Sequence, residues 1–141
     1  MRDFSGDTVI LEFSRGSEHG GYKNAFQHLS GEILKDLAIL YVDVPWEESL
    51  RKNRRRYNPD RPDSILEHGL SDEKLERLYR DTDWNELIEG QPDYLMIKDY
   101  QVPYVVFENA DDVTTDQGKE LGARLETKLG RLWSLSQQKE S

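Results

Sequence analysis

Two groups of charged side chains in this 141-residue sequence have the composition and spacing to perform chemistry. The first is Glu12 and Arg15, which stand at the end of an apolar run over Thr8 to Phe13. Such a run is typical of a strand that is buried on both faces, and ligands of open α/β sheets bind outside the carboxyl ends of strands. The carboxylate could accept a proton or bind a metal while the arginine binds an anionic group. A structural Glu–Arg ion pair is the alternative.

The second group is a basic island in an otherwise acidic sequence. It consists of Arg51, Lys52, Arg54, Arg55, Arg56 and Arg61. The whole chain has 19 basic and 28 acidic residues, which gives a net charge of −9. Arg51 and Arg55 are spaced i,i+4 on a predicted helix, and guanidinium groups bind phosphate oxygens in bidentate fashion. The island therefore predicts an anion site. A solvated helix C-terminus and a nucleic-acid or nuclear-import patch are the alternatives.

A glycine-rich segment, Gly16 to Asn24, follows the first predicted strand and precedes a helix, as a phosphate-binding loop would. The Walker A pattern requires a lysine directly after its second glycine and then a serine or threonine. Here Tyr22 comes before Lys23, and Asn24 replaces the hydroxyl residue. We therefore expect a flexible substrate-side loop, with Tyr22 and Lys23 as candidate ligand contacts. Asn109, after the last predicted strand, either lines a ligand rim or belongs to a polar turn.

Strand-like and helical segments alternate along most of the chain. Strands are predicted over 8–13, 38–44, 94–98 and 103–107, with the last two joined as a hairpin through 99–102. Helices are predicted over 22–29, over 31–37 after a Ser30 cap, from Pro45 to before Asn58, after Ser71, after Thr82 and over 115–134. The last helix would have a capping box of Thr114 and Gln117 and one apolar face of Leu121, Leu125, Leu129, Leu132 and Trp133.

This alternation predicts an α/β fold, with an open, mostly parallel sheet and helices on both faces. We expect residues 1–141 to form a single domain, with flexible ends at 1–7 and 135–141. The first strand is of the fully buried type and no helix precedes it. We therefore expect either that a partner covers it or that the first part of the fold is missing from this chain.

Composition excludes several classes of protein. The absence of cysteine excludes disulfides, thiolate metal sites and cysteine nucleophiles, and the three histidines lack metal-ligand spacing, so no metal site is predicted. No apolar run approaches the roughly 20 residues of a membrane span, and the N-terminus has no apolar signal core. We therefore expect a cytoplasmic protein without membrane contact.

In this order, the segments resemble the latter two-thirds of a P-loop kinase of the nucleoside and nucleotide (deoxynucleoside or thymidylate) kinase type, over about Thr8 to Trp133. Glu12-x-x-Arg15 is similar to that group's acid-and-arginine strand end. Val42 to Arg56 is similar to its strand, P-x-E helix start and arginine-rich lid. Ser71 to Tyr79, then Trp84, resembles the helix after the lid. Pro103 to Asn109 and the final helix resemble its last strand and adenine-side loop.

The resemblance implies a P-loop NTPase-like fold and phosphoryl transfer from ATP, with Mg²⁺, to a nucleoside, nucleotide or similar small acceptor. Glu12 would be the base or metal partner and Arg15 a substrate anchor. Arg51, Arg54, Arg55 and Arg56 would form the lid that closes on the phosphates.

The group's first strand and Walker A loop would lie before residue 1. We therefore expect this chain alone to have little or no ATP-dependent activity. A non-catalytic module that binds an acidic partner or RNA through Arg51–Arg61 is the competing hypothesis, although the acidic net charge disfavours nucleic acid. The substrate's identity and the choice between a monomer and a homodimer stay open.

Overall fold

The structure is a computed structural model, and it describes residues 6–14, 16–17, 20–56, 71–76, 80–111 and 116–139. A sheet of three strands lies at the centre of this described part. In these ranges the strands are β1 (Ile39–Asp43), β2 (Tyr94–Ile97) and β3 (Tyr100–Glu108). The helices are α1 (Gly21–Gln27), α2 (Gly31–Leu34), α3 (Trp46–Arg56), α4 (Asp72–Leu75), α5 (Trp84–Ile88) and α6 (Lys119–Gln138). The strand order is β1-β3-β2, with β1 parallel and β2 antiparallel to β3. The chain is thus an α/β fold with a small mixed sheet.

Alternation of side chains along β3 places apolar residues on both faces of the sheet. Val102 and Tyr104 belong to a core on one face, which also contains Tyr22, Phe26, Leu34, Trp84, Leu95 and Ile97. Val105 belongs to a second core on the other face, with Leu132 and Leu135 of α6. Because the central strand is covered on both sides, helices pack on both faces, as the alternation of segments predicts.

An aromatic cluster connects α5 to the sheet. The Trp84 ring is stacked on Tyr41 at a centroid distance of 4.2 Å and meets Tyr104 edge-on at 5.5 Å. Trp84 is only 2% exposed. Offset-stacked and edge-to-face pairs are the arrangements that aromatic quadrupoles favour, so these contacts fix α5 against β1 and β3.

The predicted strand over 8–13 is wrong: residues 7–14 form no strand. Val9 is 56%, Ile10 86% and Leu11 64% exposed. Phe13 contacts Tyr22 and Phe26, at centroid distances of 5.9 and 6.3 Å. A β-branched composition favours extended backbone, but a strand also requires a hydrogen-bonded neighbour. Within the described part of the chain, no strand pairs with this segment.

The predicted hairpin is confirmed, but its turn is shorter than expected. Ile97 pairs with Tyr100, which leaves Lys98 and Asp99 as a two-residue turn. Lys98 has a φ of 53°, and positive φ is typical of such tight turns. The expected link over 99–102 fails because Val102, which is fully buried, pairs with Leu95 inside the sheet.

Helix α6 begins and ends later than predicted. Its N-cap is Gly118, which has no side chain to cap it, and Gln117 has a φ of 51°. The predicted capping box is therefore wrong at Gln117, and Thr114 lies outside the described residues. The C-terminal end was expected to be flexible over 135–141, but its first residue is fixed in the fold. Leu135 is 2% exposed, and its backbone carbonyl accepts a hydrogen bond of 2.7 Å from the Tyr94 hydroxyl.

The apolar face of α6 is also narrower than the sequence predicts. Leu132 is buried, whereas Leu129 is 48% and Trp133 69% exposed. The Ser30 cap of α2 is confirmed by its hydrogen bond from the Ile33 amide. None of the helices in the described ranges is both long enough and apolar enough to cross a bilayer.

Candidate ligand-binding edge of the sheet

The two parallel strands end together at one edge of the sheet. Asp43, the last residue of β1, is in register with Glu108, the last residue of β3. The Asn109 amide donates a 2.8 Å hydrogen bond to the Asp43 carbonyl, which extends the ladder by one residue. In α/β folds this carboxyl edge is where ligands bind.

Helix α3 contains residues 51–56 of the basic island and lies at this edge. It begins immediately after β1 and Pro45, with Glu47 and Glu48 in its first turn, where carboxylates complement the helix dipole. One turn later, Lys52 Nζ donates to Asn109 twice, at 2.8 Å to Oδ1 and 3.1 Å to the backbone carbonyl. Asn109 is 8% exposed, so this contact ties the basic helix to the end of β3.

The arginines of the basic island differ in how much of each residue the structure describes. Arg51 forms an ion pair with Glu48, in which its Nη2 and Nε lie 2.6 and 3.0 Å from one carboxylate oxygen. Arg54 is exposed. Arg55 and Arg56 are backbone members of α3. Arg61 lies outside the described residues.

A second cation at this edge, Arg124 of α6, was not anticipated from the sequence. Its Nη1 donates at 2.9 Å to the Glu108 carbonyl, and its two terminal nitrogens lie 3.1 and 3.0 Å from the two Asp111 carboxylate oxygens. The guanidinium also lies over the Phe107 ring, 5.8 Å from its centroid. The hydrogen bonds that Arg124 donates to the Asp111 carboxylate raise the pKa of Arg124.

Arg124 and Asp111 line a cavity of about 250 Å³ together with Glu108, Ala110 and Lys128. No spacing rule could have paired Asp111 with Arg124, because the turn and the helix meet only when α6 packs on β3.

Glu12 does not stand at the end of a strand. It is an exposed residue of the unpaired 7–14 segment, and Arg15 lies outside the described residues. The predicted carboxylate-tipped strand is therefore not observed, and the carboxylates that do end strands here are Asp43 and Glu108.

Tyr22 and Lys23 lie in the first turn of α1 rather than in a loop. Their amides donate to the two carboxylate oxygens of Asp83, at 2.7 and 3.0 Å. The Tyr22 ring is 9% exposed and belongs to the core. Amides at a helix start are the groups that a phosphate loop offers to its ligand, and here Asp83 of the same chain binds them.

A larger cavity, of about 410 Å³, lies away from the carboxyl edge. It is bounded by α1, α5 and β2, and its lining includes Lys23, Asp83, Glu86, Gln91 and Met96. Asp83, Glu86 and Lys23 line this cavity, so its charge is mixed. The cavity is therefore not an anion site of the kind that the basic island predicts. Among the residues that the structure describes, no cluster of three or more histidines or carboxylates could bind a metal ion.

No protein-family model, curated protein or solved structure was found to match this chain. Function is therefore argued from the geometry of the carboxyl edge.

Proposed function

We propose that this chain is a kinase-like α/β domain that binds a phosphorylated or nucleoside-like small molecule at the carboxyl edge of β1 and β3. The contact of Lys52 with Asn109 carries the proposal, because it joins the basic helix to the turn after β3. The ligand would lie against that turn, with its anionic groups toward α3.

The charge on α3 supports this assignment. Beyond Lys52, the helix continues through Arg54, Arg55 and Arg56. Consecutive cations repel one another, and an anion bound among them would relieve that repulsion. Guanidinium groups that close on phosphate oxygens form bidentate hydrogen bonds and exclude water, which is the proposed role of the island.

Phosphoryl transfer from ATP with Mg²⁺ would follow from the resemblance to nucleoside and nucleotide kinases, with Glu12 and Arg15 as the proposed catalytic pair. The residues present do not fit the triphosphate and its metal. The 141-residue sequence has no complete Walker A pattern. The amides at the start of α1 are bound to Asp83. We therefore assign ligand binding, and not ATP-dependent transfer, to this chain by itself.

Calorimetric titration tests the proposal. Nucleoside monophosphates, deoxynucleosides and ATP would be titrated into the chain, and into an Arg54→Ala/Arg55→Ala variant, at two salt concentrations. We expect one of these ligands to bind and the double variant to lose about tenfold in affinity, or about 1.4 kcal/mol. Arg131→Ala is the matched control, because Arg131 is an exposed α6 arginine paired with Asp93.

Two results would contradict the proposal. One is an equal loss of affinity in Arg131→Ala, which would indicate a general charge effect. The other is an absence of nucleotide binding together with RNA binding whose affinity falls steeply with salt. That result would assign the island to the non-catalytic RNA-binding module instead.

A further inference from the structure

The outer edge of β1 is open as far as the described residues are concerned, and we call it the open edge of β1. β1 is terminal in the strand order, and within the described part of the chain it is hydrogen-bonded only to β3. A strand edge presents a row of backbone donors and acceptors that another extended segment can pair with.

Apolar side chains border this edge on the α6 face. Val42 is 48% exposed and lies on the same face of β1 as Leu40, which packs against the α6 core. On α6, Arg131 forms an ion pair with Asp93, just before β2. Successive residues of a helix are about 100° apart, so two residues are about 200° apart. Trp133, two residues after Arg131, therefore lies on the opposite side of α6, the side toward β1. Trp133 is 69% exposed, and Leu129, one turn earlier, is 48% exposed.

The unpaired segment over 8–13 lies near the same edge, toward the opposite face. Phe13 contacts Tyr22, and Tyr22 meets Tyr41 of β1 edge-on at a centroid distance of 6.0 Å. Preceding Phe13, the exposed residues Val9, Ile10 and Leu11 would occupy both faces of an extended strand. The segment therefore has the composition of a doubly covered strand but lacks a strand partner among the described residues.

We propose that this chain self-associates through these two features, with the 8–13 segment of each copy adding as a strand to the open edge of β1 of the other. The segment and β1 are similar in length, and each supplies what the other lacks. The segment brings apolar side chains for both faces, and the edge brings backbone groups without a strand partner among the described residues, bordered by exposed apolar side chains on the α6 face. Under two-fold symmetry the same contact forms twice.

The exposed apolar side chains supply a large part of the area that a small dimer interface buries. Four large side chains of the segment (Val9, Ile10, Leu11 and Phe13) and three at the edge (Val42, Leu129 and Trp133) are between 48 and 86% exposed. At roughly 60–120 Å² for a whole apolar side chain, this is about 250–500 Å² of apolar surface per copy. Two copies would bury about 500–1,000 Å² of apolar surface, and the paired backbone adds to this, against the 1,200–2,000 Å² of a standard interface. This proposal is independent of the proposed ligand.

Analytical ultracentrifugation of the full chain over a range of concentrations tests the association. We expect a dimer that becomes monomeric in Ile10→Glu, because a carboxylate would be buried in the added strand. Ile10 is 86% exposed, so its substitution should leave the circular dichroism spectrum and melting temperature of the monomer unchanged. Met96→Glu is the matched control, because Met96 is 52% exposed on β2, at the other edge of the sheet.

Cross-linking then identifies the occupant of the edge. The chain has no cysteine, so single cysteines can be introduced without a background. A mixture of Ile10→Cys and Val42→Cys chains, treated with a short bis-maleimide, should give a cross-linked dimer. Monomers at all concentrations, or a dimer that Ile10→Glu leaves intact, would overturn the proposal. An internal cross-link in the Ile10→Cys/Val42→Cys chain, with no dimeric product, would also overturn it.

Discussion

The Asp83 side chain gives the glycine-rich segment before α1 a structural role in place of ligand binding. Its carboxylate accepts hydrogen bonds from the amides of Tyr22 and Lys23, across about 60 residues of sequence. A glycine-rich turn before a helix would otherwise offer those amides to an external anion. The contact makes the turn part of the fold, where it holds α1 to the start of α5.

Gly21→Ala tests this arrangement. Gly21 has a φ of 69°, and an added Cβ would lie 2.5 Å from both carboxylate oxygens of Asp83. We expect the free energy of unfolding to fall by about 2–3 kcal/mol, because the backbone is strained and the carboxylate must move. Urea denaturation measures the change.

Gly122→Ala is the control for that substitution. Gly122 lies within α6, and nothing lies within 4 Å of an added Cβ. Alanine is the better helix former by about 1 kcal/mol, so this variant should be slightly more stable. Equal losses in the two variants would contradict the role assigned to Gly21.

Tyr41 provides a pH-dependent test of the aromatic cluster. Burial raises the pKa of Tyr41 above its usual value of 10.0, and the charges of Asp43 and Asp83 add to this, while a hydrogen bond with Thr82 opposes it. The neutral phenol is thus favoured in the folded state. Its contribution is complete below pH 10 and is lost as the pH rises through the folded-state pKa.

We therefore expect the stability of the wild-type chain to fall as the pH rises above about 10, and more steeply than that of Tyr41→Phe. Tyr104→Phe should show the same flattening, because burial also raises the pKa of Tyr104. Urea denaturation at a series of pH values gives the slopes. Parallel curves for wild type and both variants would show that neither phenol is linked to folding.

At the scale of elements, α6 supplies most of the core on one face of the sheet, although its N-terminus has no side-chain cap. It packs along β3 and carries Arg124 to the turn after that strand. Its N-cap, Gly118, has extended backbone and no side chain that accepts from the first amides. Helix starts of this kind lose the stabilisation that a serine or aspartate would provide.

Gly118→Ser should stabilise the chain by about 0.5–1 kcal/mol, because the hydroxyl would accept an amide of the first turn and the unfolded chain would lose freedom. Nothing lies within 4 Å of an added Cβ at this position. Gly118→Ala separates the two effects, since it restricts the backbone without adding an acceptor. A serine variant no more stable than the alanine variant would contradict the capping argument.

At the scale of the whole molecule, one sheet separates two apolar cores. Leu34 of α2, which is fully buried, belongs to one core, and Leu135 of α6, at 2% exposed, to the other. Because β3 contributes side chains to both cores, loss of either face should destabilise the same sheet.

We therefore expect Leu34→Ala and Leu135→Ala each to cost about 2–5 kcal/mol and each to retain one unfolding transition. Near-UV and far-UV circular dichroism, recorded at one protein concentration, should give the same midpoint for each variant. Ile33→Ala is the control, because Ile33 is 43% exposed beside Leu34 and should cost under about 1 kcal/mol. Two separate transitions would show that the cores unfold independently.

The predictions that succeeded rest on local periodicity. The position of β1, the hairpin of β2 and β3, the Ser30 cap and the helical part of the basic island over 51–56 all follow from patterns within about ten residues. The buried type expected of the strand over 38–44 is wrong, because Val42 and Asp43 are exposed and the rest of β1 is only partly buried. Helix periodicity, caps and tight turns depend on residues close together in the chain, so the α/β class was accessible from the sequence.

Tertiary structure decided what required partners distant in the chain. Thr8 to Phe13 has the composition of a buried strand but is not one here, because hydrogen bonding between strands needs a neighbour that composition cannot supply. The same reason explains Asp83 at the start of α1, Lys52 on Asn109 and Arg124 on Asp111. Each is a contact between segments that only packing brings together, so the residues of the carboxyl edge became visible as a group only in the folded chain.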